Sequence, residues 1–179
     1  MTTRRLNPNT IFLHWVIFLL FLAALTGIEY RSVVPSGDPI RRTLRTIHVY
    51  TGQLILLFSF VRVMIRLRYP VPPAKNIAPW MAWSALAVHA LLYFAMFAQP
   101  ISGILFMQAG GKEVAFFNWA WPRLIAENAE VHFQIKEIHQ FIGNAIYFLI
   151  MMHAAGALWH HFILKDDSLR HMLKVSRKD

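Results

Sequence analysis

The chain has 179 residues, of which 56% are hydrophobic, and a formal net charge of +9 at pH 7. The hydrophobic residues come in long runs, which excludes an ordinary soluble domain and predicts an all-α integral membrane protein. The chain contains no cysteine, which excludes disulfides, thiolate-ligated metal centres and thioether-linked cofactors. Because Lys and Arg flank the apolar runs, we attribute the positive charge to the membrane surface and expect no nucleic-acid partner.

Four apolar runs of helix length follow one another, separated by polar or proline-rich segments. They predict membrane spans at about 11–30, 46–67, 80–107 and 135–162. The first run is too long for the apolar region of a signal peptide and has no convincing cleavage site, so we expect an uncleaved span. Prolines after the second run predict a non-helical connection, and Pro100 predicts a kink in the third span. The sequence thus predicts a four-transmembrane-helix bundle in which residues 1–179 form a single domain.

The distribution of basic residues predicts the orientation of this bundle. Four spans place both termini on one side of the membrane. The termini and the connection between the second and third spans carry more Lys and Arg than the other two loops. The positive-inside rule, which counts only Lys and Arg, therefore predicts that both termini are cytoplasmic.

The fourth span carries three histidines on one helical face. At 100° per residue, His153 lies about 40° from His139, and His160 lies about 20° from His153. His139 and His153 are separated by about 21 Å along the helix, which is most of the hydrocarbon core. Ionisable side chains at this depth are costly, so their presence indicates a function.

The first two spans supply one histidine each at matching depths. His14 lies near the inner end of the first span, whereas His48 lies near the outer end of the second. The depths predict a His14–His153 pair near the inner leaflet and a His48–His139 pair near the outer leaflet. Two such pairs in a helix bundle suit the axial ligation of two haem irons for electron transfer. A zinc–histidine protein or a transporter would instead group its histidines at one depth around a polar cavity.

Two glycines stand one turn after the predicted outer ligands. Gly52 follows His48 by four residues, and Gly143 follows His139 by four. We predict that both leave room for a flat macrocycle against the helix face. The alternative is that small residues simply allow close helix packing.

Two arginines are candidate partners of the haem propionates. Arg62 lies fourteen residues after His48, on the same face and nearer the inner leaflet, and Arg45 lies three residues before His48. They are predicted to bind the inner and outer propionates respectively, with snorkelling to the membrane surface as the alternative. His89, near the middle of the third span, is expected to have a core or cofactor-packing role and is not among the predicted ligands.

Several motifs together resemble those of a known family. They are Leu13-His14-Trp15, Ile47-His48-Val49 with Gly52, Arg62-Val63-Met64-Ile65-Arg66-Leu67 before Pro70, Pro100-Ile101-Ser102-Gly103, His139 with Gly143, and His153-Ala154-Ala155 before His160-His161. In these motifs and in its four-helix order, nearly the whole chain resembles the bacterial cytochrome b561 family. The resemblance implies two non-covalent b haems, with His14, His48, His139 and His153 as metal ligands.

Two further segments resemble family members that oxidise superoxide: Trp159-His160-His161-Phe162 with Lys165-Asp166, and Glu29-Tyr30-Arg31. The resemblance implies a multi-pass protein of the bacterial inner membrane that transfers electrons from superoxide at the periplasmic face to ubiquinone. His160 is then a candidate hydrogen-bond donor to ubiquinone at the lipid–water boundary. The alternative function is a haem b relay or anchor subunit, which exchanges electrons between the quinone pool and a dehydrogenase or hydrogenase partner.

A cluster of arginines in the first outer loop fits an anionic substrate. Arg31, Arg41, Arg42 and Arg45 lie beside His48 in sequence, with Glu29 and Asp38 as the opposing acids. A positive field at this loop would attract superoxide to the outer haem.

Overall fold

The computed structural model describes residues 6–70, 78–166 and 168–173. Its elements are α1 (Pro8–Val33), α2 (Ile40–Arg68), α3 (Pro79–Ala109), β1 (Ala115–Phe116), β2 (Trp119–Ala120), α4 (Ala129–Phe162) and α5 (Ser168–Leu173). The first four helices are long and apolar enough to cross a membrane. This confirms the predicted all-α membrane fold, to which the loop after α3 adds a small antiparallel β-hairpin.

All four long helices begin before the predicted spans, and two of them begin six residues earlier. α2 starts at Ile40 and α4 at Ala129, six residues before the limits that hydrophobicity alone predicted. Side-chain caps set these starts: Asp38 Oδ1 accepts a hydrogen bond from the Ile40 N–H at 2.9 Å, and Asn128 Oδ1 accepts one from the Val131 N–H at 3.0 Å. The first turns of both helices are therefore polar extensions beyond the apolar runs.

Two other predictions concern α3 itself and the connection that precedes it. α3 continues through Pro100 as one helix. The proline-rich connection predicted after α2 lies, beyond Pro70, outside the described residues.

The bundle consists of two helical hairpins. α1 packs mainly on α2, and α3 packs mainly on α4, with less extensive contact between α2 and α3. His14 and His48 belong to the first hairpin, whereas His139 and His153 belong to the second. Any contact within either predicted histidine pair must therefore join the two hairpins.

An apolar layer occupies the middle of the bundle, between the two histidine levels. Its buried members are Ile17, Ala24, Ile55 and Met96. On α4, Ile146 is only 1% exposed and lies seven residues from both His139 and His153, on the same helical face. Above and below this layer, little of α4 is covered by protein, since only 11% of its most apolar 18 residues are buried.

Candidate functional site

The rings of His48 and His139 lie close together across the two hairpins, with centroids 6.2 Å apart and ring planes at 83° to each other. His48 Nδ1 lies 3.0 Å from the carbonyl oxygen of Ala24, and His139 Nδ1 lies 3.0 Å from that of Gln99. A carbonyl oxygen can only accept a hydrogen bond, so both Nδ1 atoms carry the proton. This tautomer leaves the Nε2 lone pairs available to a metal, which is the usual arrangement of a ligating histidine.

A largely apolar open cavity adjoins these two rings. It is lined by both histidines, by two glycines and by apolar residues of α2, α3 and the following loop. At Gly52 an added Cβ would meet no atom of the described residues within 4 Å, as expected if this glycine leaves room for a flat group. At Gly103 an added Cβ would lie 3.1 Å from His139 Cε1, so this glycine provides space for the histidine ring itself.

A polar cluster that the sequence analysis did not predict surrounds His139. The Gln99 amide donates a hydrogen bond to His139 Nε2 at 3.1 Å, and the buried Gln99 Oε1 atom has no hydrogen-bond partner among the described residues. Ser102 Oγ lies 3.1 Å from His139 Nδ1 and donates to the Gln99 carbonyl oxygen. The space predicted to lie open beside Gly143 contains the Gln99 amide nitrogen, 3.1 Å from an added Cβ. A metal at Nε2 would replace the Gln99 hydrogen bond.

The second pair lies at the end of the bundle where α1 begins and α4 ends. The His14 and His153 rings have centroids 6.1 Å apart, and the buried His14 Nδ1 has no hydrogen-bond partner in the part of the chain that the structure describes. His89 also belongs to this group, with its ring centroid 5.0 Å from that of His153. Its Nδ1 lies 2.6 Å from the carbonyl oxygen of Ala85. The sequence placed His89 near the middle of the third span, whereas the structure places its ring beside that of His153, near the end of the bundle.

The ring spacing of both predicted pairs fits a metal between them. Two coaxial imidazoles with metal–nitrogen bonds of about 2 Å have their centroids about 6.3 Å apart. The observed values of 6.2 Å and 6.1 Å match this spacing, whereas the His89–His153 distance of 5.0 Å is too short for it. Within the described residues, no three His, Cys, Asp or Glu side chains are grouped to hold a metal ion. The arrangement fits two bis-histidine haem sites, and the ligand roles stay predictions.

The two arginines predicted to bind propionates have different surroundings. Arg62 Nη1 donates to the carbonyl oxygen of Thr10 at 3.0 Å, and its Nε donates to the hydroxyl of Tyr93 at 3.2 Å. Arg62 therefore joins α2 to α1 and α3 at the end of the bundle near His14. Arg45 is half-buried, and the structure assigns it no hydrogen bond or ion pair among the described residues. Contact of either side chain with a propionate stays a prediction.

One arginine of the first loop has a structural role. Arg41 Nη1 donates hydrogen bonds to the carbonyl oxygens of Arg31, at 2.9 Å, and of Val34. These carbonyls lie at the C-terminal end of α1, where a cation is favoured by the helix dipole. Arg41 therefore closes the turn between α1 and α2. Arg42 and Arg45, in the first turns of α2, are available to an approaching anion.

Two buried glutamines hold the loop between α3 and α4 against the cavity. Gln53 Nε2 donates to the carbonyl oxygen of Ala115 at 3.2 Å, and Gln53 Oε1 accepts from Trp121 Nε1 at 2.7 Å. Gln108 binds the backbone of the same loop through both of its amide atoms. Val114, at 1% exposure, lines the cavity from this loop. The loop thus covers the His48–His139 site.

Removing the Gln53 hydrogen bonds should loosen this cover. Gln53→Leu leaves the half-buried Trp121 Nε1–H and Ala115 carbonyl without this partner, and an unsatisfied polar group costs up to about 1–3 kcal/mol when it is fully buried. We expect the variant to unfold at a lower temperature than the unsubstituted protein in a thermal scan in detergent. The matched control is Gln134→Leu, which removes an exposed glutamine of α4. Equal unfolding temperatures for the two variants would contradict the role assigned to Gln53.

A histidine–aspartate contact marks the C-terminal end of α4. His160 Nδ1 lies 2.6 Å from Asp166 Oδ2, and the Asp166 N–H donates to the His160 carbonyl oxygen at 3.0 Å. The following helix, α5, is attached to α1 because Trp15 Nε1 donates to the carbonyl oxygen of Met172 at 2.8 Å. The Trp15 ring also contacts the ring of His14, with centroids 5.2 Å apart. The turn that carries Asp166 therefore lies at the same end of the bundle as the His14–His153 pair.

Comparison with known proteins identifies the family. The family model described as prokaryotic cytochrome b561 matches residues 5–174. The chain is 33% identical to "Cytochrome b561 homolog 1" of Escherichia coli K12, over 94% of this chain and 97% of that protein. It is 32% identical to "Probable superoxide oxidase CybB" of Yersinia pestis, over 92% and 93%. It is also 28% identical to "Cytochrome b562" of Cereibacter sphaeroides, over 90% of each chain. The predicted resemblance is confirmed: the chain belongs to the prokaryotic cytochrome b561 family of haem b proteins that transfer electrons in membranes.

Proposed function

We propose that the chain is a superoxide oxidase, a membrane cytochrome with two b haems that transfers electrons from superoxide at the periplasmic face to ubiquinone. The observation that carries the di-haem part is the pair of histidine contacts, at 6.2 Å and 6.1 Å, on either side of an apolar layer. The substrate part is supported by the Yersinia pestis relative named as a probable superoxide oxidase. Residues 1–179 form one di-haem domain in this proposal.

Four histidines bind the two haems. Each haem is bound by one histidine from the α1–α2 hairpin and one from the α3–α4 hairpin. His48 and His139 bind the haem near the periplasm, and His14 and His153 bind the haem near the cytoplasm. When bound, each group supplies reversible one-electron transfer. Two haems at these levels suit an overall reaction in which two superoxide anions each lose one electron. One ubiquinone then takes up the two electrons and two protons.

The protein favours superoxide at the His48–His139 end through charge. With both termini in the cytoplasm, the α1–α2 turn lies at the periplasmic face. Arg42 is exposed, Arg45 is half-buried, and neither has an ion-pair partner in the described part of the chain. These cations raise the local concentration of a small anion. Arg45 also lies one turn before His48, where it can bind the propionate of the same haem.

The quinone site is proposed at the opposite, cytoplasmic end. His160 lies seven residues beyond His153 on the same face of α4, at the membrane surface. Ubiquinone is dissolved in the lipid of the bacterial inner membrane, and the little-covered α4 faces this lipid. Lipid, ubiquinone and superoxide are thus the partners of the proposed reaction.

The deciding experiment uses the purified full-length protein. Reduced-minus-oxidised spectra should show two b haems per chain. Superoxide should reduce them, ubiquinone should reoxidise them, and prior addition of superoxide dismutase should abolish the reduction. Two haems that ignore superoxide but accept electrons from ubiquinol would instead indicate a relay subunit for a dehydrogenase or hydrogenase. A protein that binds no haem would contradict the proposal, because the proposed electron transfer depends on the two haems.

A further inference from the structure

We infer that Asp166 is a positioning residue for proton transfer, which orients His160 so that its imidazole passes protons from cytoplasmic water to ubiquinone. The inference rests on the proposed reduction of ubiquinone at the His14–His153 end of the bundle. It assigns a role to a carboxylate outside the four membrane-length helices.

The contact between His160 and Asp166 determines which nitrogen of the His160 ring is free to exchange a proton with the quinone. Asp166 Oδ2 lies 2.6 Å from His160 Nδ1, and an ionised carboxylate can only accept a hydrogen bond, so Nδ1 carries a proton. His160 Nε2 is then the atom that exchanges the transferred proton. In the protonated ring, Nε2–H is a donor, and the carboxylate stabilises the positive charge that this form carries.

Backbone contacts hold the pair in place at the end of α4. The Asp166 N–H donates to the carbonyl oxygen of His160 at 3.0 Å, which closes the turn between the two residues. α5, beyond this turn, is attached to α1 through the 2.8 Å hydrogen bond from Trp15 to Met172. Because Trp15 directly follows His14, this attachment fixes the turn beside the cytoplasmic histidine pair. The His160–Asp166 contact therefore lies at an end of the bundle that these hydrogen bonds hold in place.

Partial exposure suits a group that moves protons between water and lipid. The His160 and Asp166 side chains are 19% and 30% exposed, so they are mostly covered and yet within reach of water. Reduction of one ubiquinone to ubiquinol takes two electrons and two protons. In each of two successive proton transfers, His160 donates its Nε2 proton to a quinone oxygen and then takes up a proton from cytoplasmic water.

The test compares two electron acceptors on the purified, haem-loaded Asp166→Asn variant. Ubiquinone-1 needs protons, whereas ferricyanide takes one electron and no proton. We expect the variant to lower kcat for ubiquinone-1 by about tenfold, the scale of a lost supporting contact, with little change in KM. Ferricyanide should reoxidise the variant at the unsubstituted rate, and Asp166→Glu should restore most of the ubiquinone rate. The matched control is Glu113→Gln, which removes one exposed carboxylate from the loop after α3.

Each outcome separates this inference from the proposed function. Unchanged ubiquinone turnover in Asp166→Asn overturns the role of Asp166 and leaves the superoxide oxidase proposal intact. Equal slowing with both acceptors also overturns it, because a structural defect explains that result. Failure of the unsubstituted protein to reduce ubiquinone overturns both proposals. A measurement that needs no altered aspartate is ¹⁵N NMR of the unsubstituted protein, with the His160 signal assigned by its loss in His160→Gln. An unprotonated Nδ1 in that spectrum contradicts the inference.

Discussion

Replacing His139 with alanine should remove one of the two proposed haems and leave the other in place. His139 supplies one of the two ring nitrogens at the 6.2 Å pair, and the polar groups around it, Gln99 and Ser102, are placed to orient this ring. Alanine provides no nitrogen to bind iron. We expect the haem content to fall from two to one per chain, and the rate of reduction by superoxide to fall by more than about tenfold.

The reciprocal variant makes this expectation specific. His153→Ala removes a proposed ligand of the other pair, so this variant should also bind one haem. The haem that remains should be that of the His48–His139 pair, so its absorption should match the signal that is missing in His139→Ala. The remaining haem in each variant reports that the bundle is folded. His171→Ala, a histidine of α5 outside both pairs, should keep both groups. Added imidazole should enter the space left by the missing ring and restore part of the haem content. Two haems retained in His139→Ala would contradict the assignment of this pair.

The levels of the two pairs could be predicted from the sequence because they depend on only two quantities. The rise per residue fixes the depth of a side chain in a helix, and the angle per residue fixes the face on which it lies. His139 and His153 therefore specified two levels on one face of α4. Membrane length then determined which of His14 and His48 meets each of them. The structure places the rings together as this reasoning predicted.

The surroundings of the pairs could not be predicted in the same way, because they depend on how helices cross. Gln99 was visible in the sequence as an amide within an apolar run, a recognisable signal of function. Its contact with His139 depends on the packing of α3 on α4. The contact of His89 with His153 depends on the same packing.

The loop contacts lay beyond sequence reasoning for a further reason. Gln53 is separated from Trp121 by 68 positions along the chain, and no periodicity links a helix to an irregular loop. The Asp166 contact with His160 spans only six positions, but it depends on the turn that ends α4. The starts of α2 and α4 were misplaced because hydrophobicity describes the membrane interior, whereas caps such as Asn128 determine the first turn.

Replacing Gly52 with leucine should remove the haem of the His48–His139 pair without weakening the helix that carries it. An added Cβ at Gly52 meets no atom of the described residues within 4 Å, so the first carbon of the new side chain has room. The new side chain instead enters the cavity beside both rings, where a macrocycle must lie. Leucine is also a better helix former than glycine, which is about 0.8–1 kcal/mol less favourable than alanine in a helix. Haem content should fall to one per chain while the helical content of the protein is retained.

Gly156→Leu is the matched control, because it makes the same replacement at another helical glycine with open space around an added Cβ. Gly156 does not line the His48–His139 cavity, so this variant should keep the haem signal that His139→Ala loses. If Gly52→Leu keeps both haems, Gly52 serves close helix packing and the cavity is not the cofactor space. If it loses one haem but stays folded, the open space at Gly52 exists for the cofactor. Helix packing alone cannot produce that result, because a packing glycine would have a neighbouring atom in contact with the added Cβ.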